Sequence, residues 1–245
     1  MLTKNIGFKN FQIKKKNKLI KNKLKLILTE NNQIIQSLKA SYKNSYNKKI
    51  LKYFNKKINF RIIGMGGSSL GAHAIYDFLY KKIKSKFHFV ENLQAKKIDT
   101  TKKTFNNLII SKSGNTIETI ANANVLIKKK DKNLFITETK NSYLYNLANK
   151  LKAEVVQHNN YIGGRYSVLS EVGMLPAELM GLNSKKFKQL NNLIKNKNFI
   201  NNLVINAGSI IYFLKNKKYN SVIINYDEKS TNLFNWYQQL VAESL

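Results

Sequence analysis

Residues 61–71 read RIIGMGGSSLG, an apolar run that ends in glycines and serines before a helix-like stretch. A strand, a tight turn and a helix N-terminus together form a common anion-binding arrangement. The nucleotide P-loop requires lysine after the last glycine, where Ala72 stands, and the dinucleotide fingerprint requires glycine where Ser69 stands. Glu91, after the second predicted strand, keeps a dinucleotide site open as an alternative. A strand-to-helix turn with no ligand would show the same letters.

The alternation of short apolar runs and amphipathic segments continues beyond this stretch. The runs are FRIIGMG, FHFVEN, LIISKSG, LFITET and AEVVQH, and helix-like segments separate most of them. Such a βαβα series is typical of a parallel sheet covered by helices on both faces. The pattern therefore predicts an α/β fold, a three-layer α/β/α sandwich, at residues 55–175.

The rest of the chain is organised differently. Residues 1–54 form a basic segment with helical periodicity towards its end, and 176–218 read as connecting helices. A further strand-like run, YNSVIINY at 219–226, is followed by a helix-like segment. We interpret 219–245 as the beginning of a second domain of the same type, and the chain as a fragment truncated at its C-terminus.

The composition bears on three classes of function: nucleic-acid binding, membrane insertion and cysteine-based metal sites. The formal net charge is +30, but Arg61 and Arg165 are the only arginines, and lysine is spread along the whole chain. Proteins that read nucleic acids concentrate arginine and aromatic residues on one face, so no specific nucleic-acid partner is predicted. No run of about 18 apolar residues indicates a membrane span, and no cysteine is present for disulfides or thiolate metal sites. A cytoplasmic protein is expected.

A second glycine- and hydroxyl-rich stretch, IISKSGNTIET at 109–119, also follows a strand and opens a helix. Ser111, Ser113 and Thr116 supply three hydroxyls, and Gly114 lets the backbone turn. Hydroxyls and helix N–H groups can saturate a phosphate dianion, although serine and threonine also serve as ordinary N-caps. Two such loops at the carboxyl ends of parallel strands converge on one crevice, which favours a ligand site.

The third stretch, YIGGRYSVLSEVGMLP at 161–176, places Arg165 directly after a glycine pair. A guanidinium is a planar, permanently charged fork that lysine cannot replace. An arginine in a lysine-biased chain therefore indicates a functional role, with an ordinary surface position as the alternative.

These stretches resemble the phosphoglucose isomerase family. GMGGSSLG resembles the loop on the phosphate side, SKSGNTIET the phosphate-binding loop, and GGRYSVLSEVG a family signature. The terminal WYQQLVAES resembles the segment that holds the catalytic glutamate. The resemblance runs from about residue 55 to 245.

The resemblance implies a fold of two sugar-isomerase (SIS) domains, each flavodoxin-like, and a homodimer at full length. It implies interconversion of glucose 6-phosphate and fructose 6-phosphate through a cis-enediolate, in glycolysis and gluconeogenesis, with no metal and no cofactor. The small-molecule partner is then a sugar phosphate. A non-catalytic SIS module that senses phosphosugars is the alternative, and a lysine-rich nucleic-acid binder is a third possibility.

The resemblance also assigns residues to roles. It implies that Glu243 is the catalytic base and that Arg165 stabilises the enediolate. The implied substrate and phosphate ligands are Gly67, Ser68, Ser111, Lys112, Ser113, Thr116 and Gln239. Gln239 and Glu243 stand at helix positions i and i+4, so spacing alone places them on one face.

Two further family groups have no counterpart in these stretches. The family's ring-opening histidine and a late lysine are expected beyond Leu245, so we expect this chain alone to be inactive. By position, His158 is the nearest substitute for that histidine.

Overall fold

The structure is a computed structural model that describes residues 17–54, 59–93, 104–128 and 130–244. Contacts divide the chain into two compact units. One contains the described residues of Met1–Tyr42 and Lys188–Ile224, and the other contains those of Lys43–Phe187 and Asn225–Leu245.

The second unit is built on a parallel sheet of five strands in the order β2-β1-β3-β4-β5. The strands are β1 Asn59–Gly64, β2 Phe87–Val90, β3 Phe105–Ile110, β4 Lys132–Thr137 and β5 Glu154–Gln157. Each corresponds to one of the five apolar runs, so the predicted parallel sheet is confirmed.

Ten α-helices lie in the described part of the chain. They are α1 Lys18–Thr29, α2 Gln33–Ser37, α3 Lys48–Phe54, α4 Leu70–Leu79, α5 Ile117–Leu126, α6 Tyr143–Lys150, α7 Glu171–Leu179, α8 Leu190–Lys195, α9 Lys197–Lys215 and α10 Thr231–Ala242. None of them is both long enough and apolar enough to cross a lipid bilayer.

The two faces of the sheet are covered by different helices, as the three-layer prediction requires. Because side chains alternate along a strand, Ile62 and Leu108 point to one face and Ile63 and Ile109 to the other. The first face packs on α3, α4 and α7, and the second packs on α5 and α6. The fold is therefore an α/β/α sandwich.

A buried polar network lies at the amino edge of this sheet, the side on which its parallel strands begin; the strands end at the carboxyl edge. Arg61 on β1 is 6% exposed, and its Nη1 donates to the carbonyl of Leu126 at 3.1 Å and to Asn107 Oδ1 at 3.4 Å. Its guanidinium also lies 3.8 Å from the centroid of the Phe105 ring. Leu126 is the last residue of α5, so Arg61 satisfies a helix C-terminal carbonyl and complements the helix dipole.

The predicted strand at 219–226 is wrong for this structure. These residues have no regular secondary structure, and Val222 and Ile224 are 85% and 71% exposed. An apolar sequence gives a segment the propensity for a strand, but a strand also needs a neighbour to take up its backbone hydrogen bonds.

Candidate active site

Two loops leave the carboxyl edge of the sheet side by side. Gly64 at the end of β1 pairs with Ile110 at the end of β3, so the glycine turn (Met65–Ser69) and the serine loop (Ser111–Thr116) start from adjacent positions. Gly66 has a φ of +53°, which favours glycine, and lets the chain turn at once into α4.

The backbone of the glycine turn lies directly against the Gly163–Gly164 segment. A Cβ at Gly67 would lie 2.2 Å from the carbonyl carbon of Gly164, a distance that no real contact allows. The Ser167 hydroxyl bridges the two segments through the carbonyl oxygens of Gly67 at 3.2 Å and Gly164 at 2.7 Å. Glycine is therefore required at Gly67 for Arg165 to reach the edge of the sheet.

Arg165 points its guanidinium at the end of α10. Nη1 donates to Glu243 Oε2 at 3.3 Å, and Nε donates to Ser244 Oγ at 3.1 Å. Hydrogen bonding to Tyr166 is the main cause that raises the pKa of Arg165, with Glu243 adding to it. The side chains of Arg165 and Glu243 are 28% and 46% exposed, so the pair is open to a ligand.

Helix α10 and its C-cap residue supply three side chains to this site. Gln239 Nε2 donates to Glu243 Oε1 at 2.9 Å, so Gln239 and Arg165 each bind one carboxylate oxygen. A Cβ at Gly66 would lie 2.9 Å from Gln239 Nε2, which places Gln239 against the glycine turn. Trp236 Nε1 donates to the carbonyl of Arg165 at 3.1 Å.

The serine loop is organised by its own hydroxyls. The hydroxyls of Ser111 and Thr116 lie 2.9 Å apart, and the backbone N–H of Asn115 donates to Ser113 Oγ at 3.2 Å. Gly114 has a φ of +68°, and a Cβ there would lie 2.2 Å from Ser142 Oγ. Glycine is required at this turn on both counts.

The N-terminus of α5 differs from that of α6. Ser142 caps α6 by accepting the N–H of Tyr145, whereas Thr116 makes no side-chain capping bond at α5. The first N–H groups of an α-helix have no partner within the helix. The start of α5 can therefore receive an anion such as phosphate.

Lys112 directs its ammonium away from this helix end. Its Nζ donates to the carbonyl of Asn160 at 2.7 Å and lies 4.0 Å from Glu138 Oε1. Glu138 also pairs with Lys140. As placed, the Lys112 side chain joins the ends of β4 and β5, and its backbone belongs to the serine loop.

His158 lies in the protein interior. It is 1% exposed, and its Nδ1 lies 3.0 Å from the carbonyl oxygen of Asn159. Burial is the main cause that lowers its pKa. A side chain so enclosed is poorly placed to open a sugar ring.

Direct contacts join four of the predicted residues: Gly67 lies against the Gly164–Arg165 backbone, Arg165 binds Glu243, and Glu243 accepts a hydrogen bond from Gln239. Ser68 follows Gly67 in the turn, and the serine loop stands beside it on the next strand. Sequence reasoning missed Ser244 and Tyr166, whose hydroxyls lie 3.0 Å apart beside Arg165. Trp236 also contributes to the site, and its being the only tryptophan of the chain is a feature of the sequence that could have drawn attention to it.

Within the described ranges, no group of three or more histidine, aspartate or glutamate side chains is arranged to hold a metal ion. The side chains described above bring hydroxyls, amides, the Arg165 guanidinium and the Glu243 carboxylate to the site.

The fold and the site define a class of protein: an α/β/α sandwich with two loops suited to binding an anion, and an arginine–glutamate pair, at the carboxyl edge of its sheet. A sequence model described as phosphoglucose isomerase matches residues 10–245. The chain belongs to the phosphoglucose isomerase family.

Individual relatives agree with this assignment. The chain is 34% identical over 222 residues to the glucose-6-phosphate isomerase of Methanocaldococcus jannaschii, covering 82% of this chain and 54% of that protein. It is 29% identical to the Campylobacter jejuni protein of the same name, covering 90% and 55%. The chain thus spans about half the length of the curated relatives it matches.

A solved structure of similar fold is that of a hypothetical protein from Thermus thermophilus. The match has a TM-score of 0.68 at 21% identity and covers 92% of this chain and 59% of that one. At this identity the similarity concerns the fold alone.

Proposed function

We propose that this chain carries part of the active site of an isomerase that interconverts glucose 6-phosphate and fructose 6-phosphate. The observation that carries the proposal is the Arg165–Glu243 pair, 3.3 Å apart at Nη1 and Oε2 and open to solvent. The family and the names of its relatives supply the substrate.

The reaction requires a base that moves a proton between two adjacent carbons. Glu243 takes the C2 proton of the open-chain aldose, and the electrons of the broken C–H bond form the C1–C2 double bond of the enediolate. Negative charge then develops on the former carbonyl oxygen, where Arg165 stabilises it. Return of the proton to C1, with transfer of the O2 proton to the medium and uptake of one at O1, gives the ketose.

Gln239 and the glycine turn orient this base. Gln239 Nε2 binds one oxygen of Glu243, and its own amide oxygen is buried with no hydrogen-bond partner among the described residues. A buried acceptor without a partner is costly, so a sugar hydroxyl that donates to it would be favoured. Gly67 and Ser68 complete this side of the sugar in the proposal.

The phosphate is assigned to the serine loop and the start of α5. Ser111, Ser113 and Thr116 supply hydroxyls, and the helix N-terminus supplies N–H groups and its dipole. Lys112 contributes through its backbone in this structure, because its ammonium is engaged with Asn160 and Glu138. Binding the distant phosphate holds C1 and C2 at Glu243.

Several wider assignments belong to the same proposal. They are a role in glycolysis and gluconeogenesis, a homodimer at full length, a cytoplasmic location, and the domain division 1–54, 55–175, 176–218 and 219–245. The low activity expected of the 245-residue chain alone also stays a prediction.

The test follows the C2 hydrogen by NMR in deuterated solvent, using the full-length enzyme. Glu243→Gln keeps the shape of the side chain but cannot take a proton from carbon. Turnover should fall by about a hundred- to ten-thousandfold, and C2 exchange should fall with it. Glu228→Gln, an exposed amide-for-acid change just before α10, is the matched control and should leave both rates unchanged.

Near-normal exchange in Glu243→Gln would show that another residue takes the proton. Binding of sugar phosphate with no exchange in the unaltered enzyme would instead favour the phosphosugar-sensing alternative. The Arg165–Glu243 pair argues against that alternative, because sensing requires the phosphate loop and no base.

A further inference from the structure

Helix α10 carries Gln239 and is followed directly by Glu243, its C-cap residue, yet none of the residues of the helix is fully buried. Burial of apolar area is the usual means of fixing a helix, and Leu233, Phe234, Leu240 and Val241 are only partly buried, so individual polar contacts also contribute to the position of α10. Two of these contacts, from Trp236 and Glu243, reach Arg165 and lie within the site itself. A third lies in the first turn of the helix, far from the chemistry.

This third contact joins Asn232 to α4. Asn232 Nδ2 donates to Asp77 Oδ2 at 2.6 Å, and the amide is partly buried. The same carboxylate oxygen of Asp77 lies 3.7 Å from His73 Nε2, one turn earlier on α4. Asp77 is therefore held between a histidine and the amide that it binds.

His73 is itself fixed on both sides. Its ring stacks on Phe89 with centroids 3.9 Å apart and planes 5° from parallel. Its Nδ1 lies 3.3 Å from Glu91 Oε2, at the end of β2. Four side chains therefore form a continuous series from the end of β2 to the start of α10. We call this series, Glu91–His73–Asp77–Asn232, the anchor chain.

Glu91 forms the other end of the anchor chain. Burial alone would raise the pKa of Glu91, but hydrogen bonding and the charge of His73, with help from the Ser69 hydroxyl, hold it below its ordinary value. Ser69 is the last residue of the turn and is fully buried.

We propose that Asp77 and His73 are positioning residues that seat α10, and through it Gln239 and Glu243, against the glycine turn. Asn232 precedes Glu243 by about three helical turns, roughly 16 Å along the axis at 1.5 Å per residue. A small tilt at Asn232 therefore moves the carboxylate by a distance that matters for proton transfer. In its catalytic consequence this inference rests on the function proposed above.

The test exchanges the two partners of the Asn232–Asp77 bond. Asn232→Asp sets two carboxylates against each other, and Asp77→Asn combined with Asn232→Asp restores one donor and one acceptor. Trp236, the chain's only tryptophan, lies on α10 and reports its position through acrylamide quenching of its fluorescence. Trp236→Phe provides the blank.

Asn232→Asp should increase the quenching of Trp236, because repulsion from Asp77 favours a state in which the start of α10 is detached from α4. Interactions between neighbouring residues change such an equilibrium by about two- to hundredfold. The exchanged pair should return towards the unaltered protein. Gln238→Glu, the same chemical change at an exposed position of α10, is the control and should have no effect. Asn232→Ala, which removes the donor without adding charge, should act in the same direction and covers the case in which Asn232→Asp fails to fold.

His73→Phe tests the next member of the chain. It retains a ring to stack on Phe89 but removes both nitrogens, so Asp77 loses its orientation and Trp236 quenching should rise. In the full-length enzyme Asn232→Asp should lower kcat more than it changes KM, and the exchanged pair should recover kcat.

The fluorescence arm does not depend on activity, so failure of the proposed reaction and failure of the anchor chain are distinguishable. The anchor chain is overturned if Asn232→Asp and Asn232→Ala leave Trp236 unchanged, or if the exchanged pair is quenched as much as Asn232→Asp alone.

Discussion

The two arginines of this lysine-rich chain occupy opposite edges of the same sheet and do different work. Arg61 is 6% exposed and bonds to the carbonyl of Leu126 and the amide of Asn107. Arg165 is 28% exposed and bonds to Glu243 and Ser244 on a helix that packs without a fully buried residue. The amino edge is a permanent part of the sheet, whereas the carboxyl edge keeps its charges within reach of a ligand.

The contrast shows why arginine resists replacement for two separate reasons. At Arg61 the planar fork satisfies several buried acceptors at once, so its loss leaves polar atoms unpaired in the interior. At Arg165 the same fork binds a carboxylate and a hydroxyl that the solvent also reaches, so its loss changes chemistry more than stability. The same substitution at both positions separates the two roles.

The largest effect is expected from Arg165→Lys in the full-length enzyme. Lysine keeps the charge but loses the fork that, in the proposed function, stabilises the developing enediolate, so kcat should fall by about 10²–10³-fold. The free energy of unfolding should change little, because solvent reaches this side chain in the folded protein. Steady-state kinetics and urea unfolding measure the two quantities, and a loss of stability without a loss of kcat would contradict the assignment.

Arg61→Lys should show the opposite result. An ammonium cannot serve both Leu126 and Asn107 in the same geometry or stack as well on Phe105, so one buried acceptor loses its partner. The free energy of unfolding should fall by about 1–3 kcal/mol. Activity per folded molecule should not change. Equal effects of Arg61→Lys and Arg165→Lys on kcat would remove the distinction between the two edges.

Within the carboxyl edge, Ser113→Ala should separate substrate binding from the chemical step. Ser113 is exposed, and its hydroxyl can donate a hydrogen bond to a phosphate dianion, so its loss should raise KM by about tenfold with kcat falling less. Ser85→Ala, in the loop before β2 at the amino edge, is the control. If KM is unchanged in Ser113→Ala, the serine loop does not hold the phosphate.

The smallest effect concerns Glu91, whose burial lies between those of the two arginines. Its pKa in the folded protein is below the ordinary value of 4.5, so its stabilising contribution is complete above that value and is lost as the pH falls through the folded pKa. Glu91→Gln should lose up to about 1 kcal/mol at neutral pH. It should also show a weaker decline of stability in acid, measured by urea unfolding between pH 3 and 7. A decline identical to that of the unaltered protein would show that Glu91 gains nothing from His73.

The sequence predicts most of the sheet because its signals are local. Each of the five strands is a short apolar run that ends at a turn. Of the three glycines with positive φ among the described residues, Gly66 and Gly114 stand where the motifs placed a turn. The run at 219–226 has the same local pattern but forms no strand, because pairing depends on a neighbour that a local pattern does not specify.

The site is less predictable because its contacts are distant in sequence. Family motifs pointed to Arg165 and Glu243, and the structure places them in contact. No pattern indicated that the Lys112 side chain would bind Asn160, or that Arg61, in a lysine-rich chain, would be buried. Both outcomes depend on acceptors that only the folded chain brings together.

The bridge between Gly67 and the Gly164 segment has a consequence for how the protein folds. Ser167 reaches the carbonyl of Gly67 across 100 residues of sequence, Arg165 reaches Glu243 across 78, and Trp236 reaches Arg165 across 71. Contacts this remote add loop-closure entropy and are typical of slow steps in folding. The strands and their covering helices can form earlier from contacts between nearer segments. During refolding, helical and sheet signals should therefore recover before the environment of Trp236 does, and the ability to bind a ligand should appear last.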